Sequence, residues 1–355
     1  MKIAQVCHRF LPTIGGIQTH VNEISTRLVE RGIDVEVLTT DPKGKYEKEE
    51  SMNGIFVRRF KSFAPGNSLY FSSKLNEYLR EHSSEYDIIH AHNYQALPAL
   101  YAALNKKNNK MVFTPHYHEI KRSFVTNLFE STYRYFGRKI FQKSDKIICV
   151  SKYESEIIRK VFDISDEKIT IIPNGLNRQE FIGVNKVSSD KRKILSIGKL
   201  YEMKGHQHIV NVMPLLEDDV ILEIVGEGSY GNRLLDRINQ LYLGDRVKIT
   251  PYLERKELIQ RYFDADLYMS MSELESYGIT VAEALITGTP CIVNDNSALR
   301  DWVDDGSCYG ISDPSNGVEL AALVNELICK NVEGVKVLDW DDVVDMITDL
   351  YLRNL

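Results

Sequence analysis

Short apolar runs alternate with longer segments of helical periodicity along the 355 residues of the chain. This alternation is typical of βαβ units and parallel sheets rather than of a sandwich or a helical bundle. The runs that predict strands form two series: IAQVCH, VEVLTT, IFVRRF, DIIHAH, MVFTPH, KIICVS and ITIIPN, then ILSIGK, ILEIVGEG, VKITPYL, DLYMSMS, CIVND and YGIS. The pattern therefore predicts an α/β protein of two Rossmann-like domains that face each other across a deep cleft, because parallel sheets bind ligands beyond the carboxyl ends of their strands.

The alternation stops at residues 183–193, GVNKVSSDKRK, which are polar and have no periodicity. We predict an interdomain linker there, between an N-terminal domain of residues 1–182 and a C-terminal domain of residues 194–339. In the final segment, 340–355, apolar residues recur at helical spacing, which predicts a helix that packs by one stripe and crosses back to the N-terminal domain.

Composition narrows the class of protein. The net charge of -6 argues against a nucleic-acid partner, and the five cysteines, odd in number and irregularly spaced, indicate buried reduced thiols. With no leader-like start and no apolar stretch of about twenty residues, we expect a cytoplasmic protein. The segment 121–146 carries seven basic and two acidic residues among aromatic ones, so it could lie peripherally on the anionic inner face of a membrane; an ordinary amphipathic helix with solvated lysines is the alternative.

Two glutamates, Glu275 and Glu283, occur in the segment SELESYGITVAEALITGTPCIVND. Gly278 predicts a turn between them, and VAEALI predicts a short helix that ends at Gly288 and Pro290, before a buried strand. One carboxylate then lies in a loop and the other in the first turns of the helix, so the pair could hold the hydroxyl groups of a two-part, sugar-rich ligand. Alternatively, they only stabilise the helix dipole.

Cations and glycines follow predicted strands in both halves of the chain. Lys199 and Lys204 follow the strand ILSIG, where they could neutralise a diphosphate and stabilise it as a leaving group; two solvated lysines are the alternative. The pair Gly15 and Gly16 opens a helix after the first strand, where free N–H groups favour an anion, although a simple tight turn fits as well. Gly226 marks a further glycine turn after a strand.

Three H-x-H pairs raise the question of a metal site. No carboxylate or cysteine recurs beside them at ligand spacing, so we expect no metal; the pairs are His90 and His92, His116 and His118, and His206 and His208. His116 follows the buried strand MVFTP, and there it could meet the reacting carbon or an acceptor hydroxyl in the cleft. A structural histidine with its hydrogen bonds satisfied is the alternative.

In order and spacing, these motifs resemble those of retaining glycosyltransferases of family 4, which have the GT-B fold. The resemblance covers nearly the whole chain, through the GG turn, HAHN at 90–93, TPH at 114–116, VSKYE at 150–154, IIPNGLN at 171–177, IGKLYEMKG at 197–205, VGEG at 225–228, PYLERKEL at 251–258 and ESYGITVAEALITGTP at 275–290. It implies that Lys199 and Lys204 bind the donor diphosphate, with the glycine turns, and that Glu283 holds the ribose. Further donor contacts implied by the resemblance are those of Glu275, Ser276, Tyr277, Gly278 and Ile279 with the sugar, and of Tyr252 and Leu253 beside the nucleotide base.

Three positions depart from the family pattern. Lys199 stands where the family usually has arginine, and a lysine cannot make the planar two-pronged contact of a guanidinium with phosphate. Asn177 replaces the carboxylate of the usual NG-x-D motif, and Tyr277 takes the place of a phenylalanine. Phosphate binding should survive with looser geometry.

The sequence thus predicts a retaining, metal-independent hexosyltransferase without a cofactor. Its donor would be a nucleotide-diphosphate sugar of the UDP or GDP type, and a saccharide or lipid-linked acceptor would bind the N-terminal domain. A nucleotide-sugar epimerase of the same fold is one alternative, although the carboxylates it needs around the sugar are not found. An inactive sugar-nucleotide-binding protein is another, and the intact set of two lysines and two glutamates argues against it.

Overall fold

The structure of the chain is a computed structural model that describes residues 1–117, 124–328, 330, 332, 335 and 337–354, without the side chains of 124–133 and 354. Two units divide the chain between them. The first comprises Met1–Gly175 together with Trp340–Leu355, and the second comprises Leu176–Asp339. Each unit contains its own sheet, which confirms the prediction of two parallel α/β domains.

The first unit is built on an eight-stranded sheet of order β3-β4-β2-β1-β5-β6-β7-β8, parallel except for β3. All seven strands predicted from apolar runs are present. The strands are β1 Lys2–Val6, β2 Asp34–Asp41, β3 Glu49–Met52, β4 Ile55–Lys61, β5 Ile88–His92, β6 Lys110–Thr114, β7 Lys146–Cys149 and β8 Ile169–Ile171.

The strand β3 is the one that apolar patterning misses. Its sequence, EESM, is polar because β3 is an exposed edge strand, and its acidic side chains pair with basic ones on the neighbouring strand, Glu49 with Arg58 and Glu50 with Arg59. Asn53 and Gly54 connect β3 to β4 with positive φ angles of 52° and 78°. An Asn-Gly pair is a strong signal for a β-hairpin, so the turn residues predict the β3–β4 hairpin, whereas the sequence of β3 itself does not.

Helices cover the sheet of the first unit, and hydroxyl caps fix where two of them begin. Ser72 Oγ accepts from Leu75 N at the start of α2, and Ser151 Oγ accepts from Glu154 N at the start of α5. The helices that precede the second unit are α1 Gly16–Glu30, α2 Ser73–His82, α3 Leu97–Asn105, α4 Phe124–Lys143 and α5 Lys152–Phe162.

The second unit contains a six-stranded parallel sheet of order β11-β10-β9-β12-β13-β14. This is the order of a Rossmann domain, with a switch in direction between β9 and β12. The six predicted strands are all present: β9 Arg192–Ile197, β10 Val220–Val225, β11 Val247–Thr250, β12 Leu267–Ser270, β13 Cys291–Asn294 and β14 Tyr309–Ile311. Its helices are α6 His206–Val212, α7 Gly231–Gln240, α8 Arg255–Asp264, α9 Ile279–Ile286, α10 Leu299–Asp304 and α11 Gly317–Leu327.

The predicted linker at residues 183–193 is wrong, because these residues belong to the second unit. Lys186 Nζ lies 2.5 Å from Asp266 Oδ1, and Val187 N donates to Asp264 Oδ1 at 2.9 Å, so side chains of the unit anchor the segment. The chain passes between the units at Gly175 and Leu176 instead. A polar composition fits a surface segment within a domain as well as a linker, which is why the boundary was misplaced.

The last helix, α12 Trp340–Asn354, belongs to the first unit. It packs against α1 with Val343, Val344, Ile347 and Tyr351 fully buried, so the apolar stripe read from the sequence is its packing face. On its polar side, Arg31 Nη2 lies 2.7 Å from Asp345 Oδ1.

Four cysteines, Cys7, Cys149, Cys291 and Cys308, are free and buried as expected, whereas Cys329 lies outside the described residues. Within the part of the chain that the structure describes, no helix has the length and apolarity needed to cross a bilayer. Of the basic, aromatic segment 121–146, residues 121–123 and the side chains of residues 124–133 also lie outside the described part of the structure.

Candidate functional site

The predicted donor residues of the second unit gather at the switch in its sheet. The neighbouring strands β9 and β12 run parallel, so the loops that follow them leave the sheet side by side. Lys199 and Lys204 lie in the loop after β9, and Glu275 lies in the loop after β12. Ligands of open α/β sheets bind at such a switch, which makes this edge the candidate site.

Lys204 and Glu275 form an ion pair across this edge, from Nζ to Oε1. Their side chains are 25% and 22% exposed, so both remain accessible to a ligand while partly shielded from water. The backbone of Glu275 is fixed by Ser297 Oγ, which accepts from Glu275 N at 3.1 Å. Lys199 is exposed in the same loop as Lys204. The structure thus brings together one predicted cation and one predicted carboxylate in direct contact.

Two glycines let these loops pack closely. Gly205 follows Lys204 with a φ of 71°, and a Cβ there would lie 2.1 Å from the carbonyl oxygen of Met271. A Cβ at Gly226 would lie 1.9 Å from the carbonyl oxygen of Gly198. Close backbone packing therefore explains both glycines, and Gly226 lies where β10 ends.

The loop from Glu275 to α9 is also held by a contact with Trp302. Gly278 has a φ of 91° immediately before the helix that begins at Ile279, and Tyr277 is buried with its carbonyl accepting from Trp302 Nε1 at 2.8 Å. The predicted turn and short helix are present, and Ser276 lies between Glu275 and Tyr277 in the same loop. Near the end of β11, Tyr252 is 61% exposed and Leu253 is half-buried.

Glu283 lies on α9 and is 6% exposed, with partners that the sequence analysis missed. Arg255 Nη1 lies 2.6 Å from Glu283 Oε1, and Tyr262 Oη donates to Glu283 Oε2 at 2.7 Å. Arg255 also pairs with Glu180 at 2.8 Å. The carboxylate is therefore charge-paired and oriented from both oxygens. Arg255 and Tyr262 lie seven residues apart on α8, which places them two turns apart on one face of the helix. This spacing is the feature of the sequence that could have predicted a shared partner.

His206 opens α6 next to Lys204, and its Nδ1 lies 3.0 Å from Ser196 Oγ. Burial, and then the positive charge of Lys204, lowers the pKa of His206 from 6.5 to about 4. An unfolded histidine keeps its ordinary pKa, so between about pH 6.5 and about pH 4 the unfolded chain binds a proton that the folded chain does not. The free energy of unfolding must therefore fall as the pH falls through this window.

Replacing His206 with glutamine is expected to remove the contribution of His206 to the pH dependence of the free energy of unfolding. That contribution is roughly 2 kcal/mol between about pH 7 and about pH 5. The measurement is urea unfolding of the second unit, followed by Trp302 emission in a Trp340→Phe background, since the chain has two tryptophans. The exposed His82, changed to glutamine, is the control. If His206→Gln and its parent lose equal stability on acidification, His206 is not the group responsible.

The remaining predicted site residues lie in the first unit. Gly15 caps α1, where a Cβ would lie 2.5 Å from Gln18 Oε1, and Gly16 is the first residue of the helix, with open space where its Cβ would be. The first N–H groups of α1 have no acceptor within the helix. This is the environment expected for an anion, although the glycines also simply fit the turn.

His116 follows β6 in a left-handed conformation, with a φ of 48° and 9% exposure. The next residue is held by Glu154, whose Oε1 accepts from Tyr117 N at 2.5 Å and whose Oε2 accepts from Val150 N at 2.7 Å. Burial raises the pKa of Glu154 from 4.5 to about 8, against the two N–H donors. The sequence analysis missed this carboxylate, although Ser151 and Glu154 in VSKYE have the spacing of a capping box.

Comparison with known proteins gives similar chains of comparable length. An uncharacterized glycosyltransferase of Methanocaldococcus jannaschii is 26% identical over 328 residues, covering 85% of this chain and 83% of the relative. Among solved structures, a sucrose-phosphate synthase from Thermosynechococcus elongatus superposes with a TM-score of 0.80 at 19% identity, covering 99% and 98% of the two chains. Anabaena HepE in complex with UDP-glucose gives 0.78 at 17% identity, with full coverage of both chains. These structures confirm the predicted GT-B fold.

Two family models match adjoining parts of the chain. The model described as Glycosyltransferase Family 4 matches residues 14–180, and the model described as Glycosyl transferases group 1 matches residues 177–334. Together they cover the strands and loops that carry every predicted site residue. The chain therefore belongs to the group 1 glycosyltransferases of family 4, as its motifs predict.

Proposed function

We propose that this glycosyltransferase moves a hexose, with retention of anomeric configuration, from a nucleotide-diphosphate sugar of the UDP or GDP type to a saccharide or lipid-linked acceptor. The observation that carries the proposal is the contact between Lys204 and Glu275 at the switch between β9 and β12. The UDP-glucose bound by the structurally similar Anabaena protein supports a nucleotide-sugar donor.

The charges at this edge suit the two ends of such a donor. Lys204 and the exposed Lys199 neutralise the diphosphate, while Glu275 and the loop through Ile279 accept hydrogen bonds from the sugar hydroxyls. Glu283, oriented by Arg255 and Tyr262, holds the ribose. Tyr252 and Leu253 border the base, and Gly226 lets the backbone approach the nucleotide.

The first unit supplies the acceptor side of the reaction. His116, held through its neighbour by Glu154, contacts the sugar or the acceptor hydroxyl, and the turn at Gly15 and Gly16 offers N–H groups to an anion. In the transfer, the bond from the anomeric carbon to the diphosphate oxygen breaks, and the acceptor oxygen bonds to that carbon on the same face. The acceptor proton passes to a donor phosphate oxygen, so protein groups mainly position reactants and stabilise charge.

A thermal-shift screen against nucleotide sugars tests this proposal and selects the donor. A ligand that binds only the folded state increases the free energy of unfolding, by about 2.7 kcal/mol when its concentration is one hundred times its Kd. The midpoint temperature of unfolding rises as a result. We expect one UDP- or GDP-sugar to stabilise the protein and to be consumed when acceptors are added, with the anomeric configuration of the product read by NMR. Binding without transfer to any acceptor would favour a sensing protein, and an inverted product would refute retention.

Transfer is expected to persist in excess EDTA. The lysines occupy the place where a diphosphate would otherwise need a metal ion, and no group of three metal-binding side chains is found among the described residues of the second unit. The measurement is the initial rate of transfer with and without chelator, with UDP release as the readout. Complete loss of activity that one divalent ion restores would contradict metal independence.

A further inference from the structure

Three histidines from separate elements meet inside the first unit: His20 on α1, His92 at the end of β5 and His116 after β6. One ring nitrogen from each lies within 4.8 Å of the other two. His20 and His92 are almost completely buried, and the ring of His20 packs edge-on against that of His116, with centroids 4.9 Å apart. His92 and His116 come from two different H-x-H pairs of the sequence, and the helix α1 contributes the third imidazole, that of His20.

Hydrogen bonds on the outer side of the cluster fix the tautomers of two of these rings. His20 Nδ1 lies 2.7 Å from Asn174 Oδ1, and His92 Nε2 lies 2.7 Å from Gln5 Oε1. Amide oxygens only accept, so these nitrogens carry the protons, and the opposite nitrogens carry lone pairs. Those opposite nitrogens, His20 Nε2 and His92 Nδ1, are buried and have no hydrogen-bond partner among the described residues.

This arrangement is the one that metal-binding histidines adopt, with one nitrogen facing the ion and the other donating to a carbonyl oxygen. An all-imidazole set favours Zn²⁺, Co²⁺, Ni²⁺ or Cu²⁺ over Mg²⁺ and Ca²⁺, which prefer oxygen ligands.

We propose that His20, His92 and His116 form a binding site for a divalent transition-metal ion of the Zn²⁺ class. Bonds of about 2.0–2.1 Å limit two ligand nitrogens to roughly 4.2 Å apart, so small side-chain rotations close the cluster around the ion. Three protein ligands leave one position for water. The inference goes beyond sugar transfer, because the donor lysines and glutamates belong to the second unit and no step of the proposed reaction uses an ion. The lone pair that His116 gives to a bound ion is not at the same time available to the sugar or the acceptor.

Cobalt is the probe for this site, since Co²⁺ takes zinc positions and absorbs visible light when imidazoles bind it. Metal-free protein, freed of any affinity tag, is titrated with Co²⁺. The ring of Trp340 packs 5.6 Å from that of His20, so we expect one equivalent of Co²⁺ to quench Trp340 emission as the visible band appears. Zn²⁺ should reverse both signals. In the Trp340→Phe variant, the visible band should remain while the quenching disappears.

Ligand variants decide the assignment. His20→Ala and His92→Ala are expected to weaken Co²⁺ binding by at least about 100-fold, and Asn174→Ala, which removes only the outer partner of His20, by about 10- to 100-fold. His82→Ala, an exposed histidine paired with Glu85, is the matched control and should bind as the parent does. Because an alanine here leaves a hole, His20→Gln serves as a second variant, with circular dichroism as the check of folding.

Two results would overturn the proposal. One is the absence of a saturable Co²⁺ signal in the parent protein, and the other is a signal that the His20 and His92 variants leave unchanged. In either case, the two lone pairs are satisfied by buried water, which commonly bridges polar groups in protein interiors. Neither readout depends on the transfer reaction, so failure of the metal site leaves the proposed function standing.

Discussion

Replacing Lys204 with alanine is expected to lower kcat/KM for sugar transfer by roughly 100-fold or more, about 2.7 kcal/mol. Two losses combine in this variant. The diphosphate loses a cation, and Glu275 loses its ion-pair partner in a loop where its side chain is only 22% exposed. Affinity for the free nucleoside diphosphate, measured by calorimetry, should fall with the rate, because Lys204 is proposed to contact the phosphates.

Lys256 on α8 provides the control, since it is an exposed lysine of the same unit. Its alanine variant should bind and turn over as the parent does. Circular dichroism should show that both variants are folded. Nucleotide affinity that is unchanged in Lys204→Ala would remove this lysine from the phosphate site.

A glutamine at position 275 is expected to separate transfer from nucleotide binding. The amide keeps the size of the side chain and one oxygen that can still accept from Lys204, so the lysine stays in place. The negative charge that holds the sugar hydroxyls is lost. We expect kcat to fall by about 10²- to 10³-fold, as when one charge-stabilising group is removed from an active site, while the Kd for free UDP or GDP changes less than about threefold.

Glu273→Gln is the matched control, two residues away and exposed. It should leave both kcat and nucleotide affinity unchanged. The comparison that matters is between free nucleotide and nucleotide sugar, each titrated into parent and variant. Equal losses of affinity for the two ligands would contradict a contact between Glu275 and the sugar.

Apolar runs were sufficient to find thirteen of the fourteen strands in the described part of the chain, because buried parallel strands need apolar side chains on both faces. The edge strand β3 needs none and was missed. The predicted boundary between the units was wrong for a related reason. Residues 183–193 are polar because they lie on the surface of a domain, and their polarity does not show that Asp264 and Asp266 anchor them.

The site could be predicted only to the level of loops. Strand order explains why Lys204 and Glu275 meet, once β9 and β12 are known to be neighbours, and the glycine turns locate the loops themselves. The partners of Glu283 were not predictable from its own segment, because Arg255 and Tyr262 come from another helix. The three clustered histidines are likewise separated by long stretches of chain, and packing alone brings them together.

The return of α12 to the first unit affects how the chain matures during synthesis. Unit one lacks its last helix until all 164 residues from Leu176 to Asp339 have been made, an interval of roughly 10–30 s at typical elongation rates. Until then, His90 lacks its contact with the Tyr351 hydroxyl, 2.6 Å away in the finished protein, and α1 lacks the packing of α12. All of the second unit is therefore synthesised before the first unit is complete, so we expect the second unit to be able to fold earlier than the first.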